Sequence, residues 1–188
     1  MNSTRIILLS AALVLAGCVP QQQYNQEVQQ VQQLKYLNAT DQQLNQSLEA
    51  EVNANQVRIR QLQNRLEVTM VNDILFPEGG WELSERGHRS LNKVVPALQG
   101  VTGKQIVIEG YTDDLPILAP LAERFPSNWD LSAARAISVV RYLVEQGIDP
   151  NQLSAVAFGK YHPLAPNDTA AGRQQNRRIN IAIQDQSP

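Results

Sequence analysis

Two short stretches carry the side chains most able to do chemistry: Tyr111-Thr112-Asp113-Asp114, and the run NWDLSAAR from Asn128 to Arg135. The first sets two adjacent acids directly after an apolar segment. The second sets an arginine in the expected first turn of a helix, where the helix dipole disfavours positive charge. That placement points to an anionic counterpart. Two plainer readings stand beside it. Asp113 and Arg135 could form an ordinary surface ion pair, typically worth about 0–1 kcal/mol. Asp113 and Asp114 could act as the acid and base of a hydrolase. The hydrolase ranks lowest, because adjacent acids point to different sides and no serine, cysteine or histidine constellation supports them. His88 and His162 lack partners at ligand spacing, so neither a metal nor another cofactor is expected.

The chain that must position these groups has 188 residues and a net charge of -2. Its length suits one domain plus extra segments. Its charge gives no basis for nucleic-acid binding, which calls for a strongly basic face. The single cysteine, Cys18, excludes an internal disulfide and a multi-cysteine metal site. Before it, Arg5 precedes an apolar run from Ile6 to Ala16, the layout of a secretory signal peptide over residues 1–17. The run is shorter than the roughly 20 apolar residues of a membrane-spanning helix. The tail LAGC, Leu15 to Cys18, resembles the bacterial lipobox, which implies cleavage before Cys18 and acylation of its thiol. Residues 18–20 are then a lipidated N-terminus, with palmitate-type chains holding the protein to a bilayer. Val19 stands where an aspartate commonly retains such lipoproteins in the inner membrane, so outer-membrane attachment is expected, with the rest of the chain in the periplasm.

Residues 21–66 are rich in glutamine and asparagine and contain no glycine or proline. Val28, Val31, Leu34 and Leu37, then Leu44 and Leu48, then Ile59, Leu62 and Leu66 recur at spacings of three and four, which predicts a helical stalk. Asn38, Asp41 and Asn55 interrupt the stripe, so a coiled coil in a homodimer and a single spacer both remain open.

Beyond the stalk, strands and amphipathic helices alternate. Val68 to Phe76 reads as a strand. A helix follows with Leu83, Leu91, Val94, Val95 and Leu98 apolar, and Pro96 is expected to kink it or end it early. KQIVIEG reads as a strand, and LSAARAISVVRYLVEQG as a helix capped by Asn128 or Asp130 and stopped at Gly147. SAVAFG is a third strand, a short helix lies between Thr169 and Asn176, and RINIAI closes the sequence as a strand. The sum is an α+β sandwich of one sheet covered by helices.

FPEGGWELSERG, IEGYTDDLPI, NWDLSAARAISVVRYL and VAFGKYHPLAPNDTAAGRQQNRRINIAI, in that order and spacing, resemble the OmpA-like peptidoglycan-binding domain. That family includes the C-terminal domain of outer-membrane protein A, the peptidoglycan-associated lipoprotein and the periplasmic part of the flagellar stator protein B. The resemblance implies a β-α-β-α-β-(short α)-β sandwich over residues 67–184, with a tail at 185–188. It also implies non-catalytic binding of the peptidoglycan stem peptide through diaminopimelate, whose far end carries an ammonium and a carboxylate on one carbon. Carried over motif by motif, Asp113 takes the ammonium, and Arg135 with the free amides of its helix start takes the carboxylate. Thr112, Asn128 and Arg177 match positions that line the peptide groove; of Arg177 and Arg178, only one can face it if both lie on the last strand. Trp81 is expected in the core and Arg173 as a loop brace. The insertion from Asp114 to Asn128 is most similar to the stator protein, but the apolar run Ile6 to Ala16 holds no acid to carry protons. Two functions follow from the resemblance: a tether between the outer membrane and the wall, or an accessory lipoprotein whose stalk binds another envelope protein.

Overall fold

Alternation of isoleucine and valine with polar residues builds the centre of the molecule. The computed structural model describes residues 21–185; the expected signal peptide, Cys18 and residues 186–188 lie outside them. Two units divide at Gln33 and Leu34. In the first, the described residues are helical and Tyr24, Val28 and Val31 are exposed.

The second unit holds a five-stranded sheet in the order β1-β2-β5-β3-β4. Its strands are β1 (Val57–Leu62), β2 (Arg65–Val71), β3 (Lys104–Tyr111), β4 (Leu153–Gly159) and β5 (Arg178–Asp185). All neighbours run antiparallel except β3 and β4, which are parallel. Helix α1 (Gln21–Ser47) ends in this unit, followed by α2 (Glu49–Asn53), α3 (Asn72–Leu75), α4 (Glu85–Gln99), α5 (Leu121–Arg124), α6 (Asn128–Glu145) and α7 (Ala170–Asn176). One sheet face supplies Leu66, Val68, Met70, Ile106, Ile108, Ile179, Ile181 and Ile183 to the core, where they meet Leu91, Val94 and Leu98 of α4 and Val139 and Leu143 of α6. The other face is polar at its centre, with Glu67, Glu109, Arg178 and Asn180.

The expected α+β architecture is present, with three corrections. First, the helical stalk does not run through residues 21–66. It ends at Asn53; Asn55 takes a left-handed conformation at φ 56° and the chain turns into the β1–β2 hairpin. Ile59, Leu62 and Leu66 fit helical spacing, but Val57 and Ile59 also alternate with Arg58 and Arg60, and pairing with β2 selects the strand. Leu37, Leu44 and Leu48 are fully buried in the domain core, each worth about 1.5–3 kcal/mol of burial. The domain therefore begins well before residue 67. Second, the strand expected over Val68 to Phe76 stops at Val71. The one-turn helix α3 sends the adjacent residues Ile74 and Leu75 into one core, whereas a strand would point them to opposite faces. Third, α4 continues through Pro96 to Gln99. A proline in the last turn removes one hydrogen bond without breaking the turns before it.

Helix α6 ends as expected: Gly147 adopts φ 86°. The Ile148 amide reaches the Leu143 carbonyl at 3.1 Å and the Gly147 amide reaches that of Val144 at 2.9 Å, a Schellman motif.

Candidate functional site

Strand β3 and helix α6 approach so closely at Gly110 that a Cβ there would collide with the backbone carbonyl of Ser132. Ser132 is fully buried and locks the junction, accepting from the Gly159 amide and donating to the Trp129 carbonyl, both at 3.0 Å. The Thr112 amide donates to the Gly159 carbonyl at 2.9 Å, ordering the chain as it leaves β3. These contacts bring the acidic turn and the arginine of α6 to one cavity of about 1090 Å³.

Thr112, Asp113, Asn128, Arg135 and Arg177 all line this cavity. Asp113 is buried at 7% exposure, and both carboxylate oxygens are engaged. Oδ1 accepts from the Leu115 amide at 3.3 Å and Oδ2 from Arg177 Nη1 at 2.9 Å. No ion pair joins Asp113 to Arg135 among the described residues. Arg177 is presented by the junction of α7 and β5, where the fully buried Asn176 side chain accepts from the Leu164 and Ala165 amides and donates to the Ala165 carbonyl and Asn167. Arg178 lies elsewhere: its guanidinium sits 3.6 Å from the Tyr111 ring centre, and it is not part of the cavity lining. Arg173 braces the loop by donating to the Asn167 carbonyl at 2.7 Å.

Arg135 is 6% exposed. Its Nε donates to the Gly80 carbonyl at 2.9 Å, and its guanidinium lies 5.5 Å from the Phe76 ring centre. Among the described residues, its two terminal nitrogens have no hydrogen-bond partner. Burial lowers its pKa to about 10 and the neighbouring Arg177 charge adds to the effect, while Asp113 and Asp73 oppose it. The group remains a cation at neutral pH, desolvated and aimed at the cavity.

The helix start differs from expectation. Ser127 caps α6 in a reciprocal box with Asp130: the Asp130 amide donates to Ser127 Oγ at 3.4 Å and the Ser127 amide to Asp130 Oδ2 at 3.0 Å. Asn128 is therefore the first helical residue rather than the cap, and Arg135 sits about two turns inside, beyond the reach of the dipole's end. The free amides of the helix start thus lie about two turns from Arg135 along α6, and the nearby positive charge comes from Arg177. Asn128 instead donates through Nδ2 to the Leu115 carbonyl at 3.2 Å, tying down the insertion.

Two cavity residues escaped the sequence reading. Asp73 approaches Arg177 Nη2 at 3.7 Å and accepts from Gln174 at 3.0 Å. It was hidden inside an expected strand, although Asn72-Asp73 is a pair that strands disfavour. Trp81 is not core. It is partly exposed on the cavity rim, edge-on to Phe125 at 5.1 Å, with Arg124 4.5 Å over its ring. Asp114 is exposed, and His88 stacks on Tyr142 at 4.7 Å. No cluster of potential metal ligands occurs among the described residues, and none of their helices is long and apolar enough to cross a membrane.

Comparison with known proteins places this geometry in a family. Motility protein B of Bacillus subtilis is 31% identical over 137 residues, covering 68% of this chain and 51% of the relative. Peptidoglycan-binding protein ArfA of Mycobacterium bovis is 32% identical over 122 residues, 65% of this chain and 35% of the relative. The chain thus spans about half, or less, of these relatives' lengths. The solved structure of the cell wall anchor of the T6SS from Pseudomonas aeruginosa superposes with a TM-score of 0.68 at 31% identity, covering 76% of this chain and 97% of that one. The sequence pattern of the OmpA family matches residues 75–177, more than half of the chain, and the chain belongs to that family.

Proposed function

We propose that the domain grips peptidoglycan without cutting it, by holding the zwitterionic end of a diaminopimelate residue in the stem peptide. Asp113 takes the ammonium. Arg135 takes the carboxylate through its terminal nitrogens, a bidentate geometry suited to a guanidinium. Thr112 and Arg177 complete the wall around them, and Asn128 supports it through the insertion. The observation that carries the reading is Arg135: a buried, cavity-facing cation whose terminal nitrogens have no hydrogen-bond partner among the described residues. Membership of the OmpA family and similarity to a protein named for peptidoglycan binding support the same ligand.

In this reading Cys18 carries the lipid anchor, α1 provides a spacer, and the domain works in the periplasm as a tether between outer membrane and wall. A second reading, an accessory lipoprotein with an envelope-protein partner or a second copy on its helix, draws on the exposed Tyr24, Val28 and Val31. Pelleting with purified sacculi tests the main reading. Arg135→Ala should weaken binding by about 2–5 kcal/mol, since it leaves the ligand carboxylate unpaired; pelleting equal to that of the wild type would sink it. Crosslinking from α1 tests the second: one dominant partner, retained in Arg135→Ala, is expected of an accessory protein.

A further inference from the structure

The charged groups account for only part of the cavity. Its volume of about 1090 Å³ exceeds what one amino-acid end needs; sites for whole drug-sized ligands span about 300–1,000 Å³. Much of the remaining lining comes from residues 115–121, LPILAPL, a run without a charged side chain. Leu118 is 74% exposed and Leu115 49% exposed.

This segment is held in place. The Leu115 peptide unit is clamped from both sides, its amide donating to Asp113 Oδ1 at 3.3 Å and its carbonyl accepting from Asn128 Nδ2 at 3.2 Å. At the far end, the Phe125 amide closes α5 onto the Leu121 carbonyl at 2.9 Å, and the buried Phe125 ring meets Trp81. The acid assigned to the ammonium therefore also positions the first residue of the apolar wall.

We infer that residues 115–121 form an apolar subsite continuous with the charged one, and that it receives the small apolar side chain of the peptide residue adjoining the zwitterionic amino acid. The inference rests on the reading above and makes the preferred ligand a longer peptide rather than the diamino acid alone. A sugar fits the wall poorly. None of the seven side chains in LPILAPL can hydrogen-bond a hydroxyl, and hydroxyls buried without partners are penalised.

Calorimetric titration of the wild type with free meso-diaminopimelate and with a stem tetrapeptide ending in alanine tests this. The tetrapeptide should bind about fourfold more tightly, as expected for burying one methyl group. Leu118→Ser, at an exposed position where folding is insensitive, and the double variant Ile117→Ser/Leu118→Ser should reduce that advantage to less than about twofold. Both should leave binding of the free diamino acid unchanged. Equal wild-type affinity for the two ligands, or an advantage that survives the double variant, overturns the subsite while leaving the charged site intact. Equal loss of both ligands in the variants also overturns it, making the segment a mere support for Asp113. Failure of the wild type to bind either ligand removes the charged-site reading and the inference together.

Discussion

Arg135 and Arg178 are both buried arginines, at 6% and 3% exposure, yet their charges are used in opposite ways. Arg178, on the polar face of the sheet, spends its terminal nitrogens on the Asn176 and His162 carbonyls at 3.2 and 3.1 Å and lies flat on Tyr111. Around it most charged groups are paired, although Arg178 Nε and Asn180 Oδ1 are buried without a hydrogen-bond partner among the described residues. Glu109 accepts from Arg65 at 2.8 Å and from the Tyr111 hydroxyl at 3.0 Å, and Glu67 pairs with Arg60 and Arg65. Burial, then the negative charge of Glu109, pushes the Tyr111 hydroxyl pKa up, so it stays a donor. Arg135 instead spends Nε on a carbonyl and keeps its terminal nitrogens open to a cavity. The terminal nitrogens of one guanidinium are spent within the protein; those of the other face a cavity.

The sharpest way to break this contrast is to unpair the polar face of the sheet. Glu109→Ala should cost about 2–3 kcal/mol of stability in urea unfolding, because it leaves the buried Tyr111 hydroxyl and one side of Arg65 without their acceptor. Sacculus binding by the folded fraction should not change. Next, Arg135→Met should abolish specific binding and raise stability by about 1–2 kcal/mol, since the desolvation that lowers the Arg135 pKa to about 10 disappears and one hydrogen bond is lost. The sign follows from linkage: a base with a depressed folded pKa destabilises the fold wherever it is charged. The penalty is complete below about pH 10 and is relieved as pH climbs above it toward the ordinary arginine range. Lower stability for Arg135→Met in calorimetric melting would mean that Arg135 is structural. The smallest effect is expected at Ser127. Ser127→Ala removes the capping box, should lower stability by about 1 kcal/mol, and should leave the affinity ratio between wild type and Arg135→Ala unchanged. A collapse of that ratio would show that the helix start participates directly in binding.

Much of the site was legible because short motifs carry local constraints. Asp113, Arg135 and Arg177 were named from sequence, and the structure brings all three to one cavity. Their partnerships were not legible. Asp113 is held by Arg177 rather than left free, and Asn128 braces the insertion rather than capping the helix. Such pairings depend on three-dimensional distances between segments as far apart in sequence as Asp113 and Arg177.

Local chemistry alone determined the strands of alternating isoleucine and the stop at Gly147. Each follows from backbone preference or periodicity within a few residues. Tertiary structure decided where helix gave way to strand at Val57, because Ile59 and Leu66 satisfy both periods until β2 and β5 offer a sheet to join. It also decided that Leu37, Leu44 and Leu48 belong to the core, and that Arg135 is buried without an ion-pair partner among the described residues. Burial and charge pairing arise between distant segments, and no local pattern encodes them.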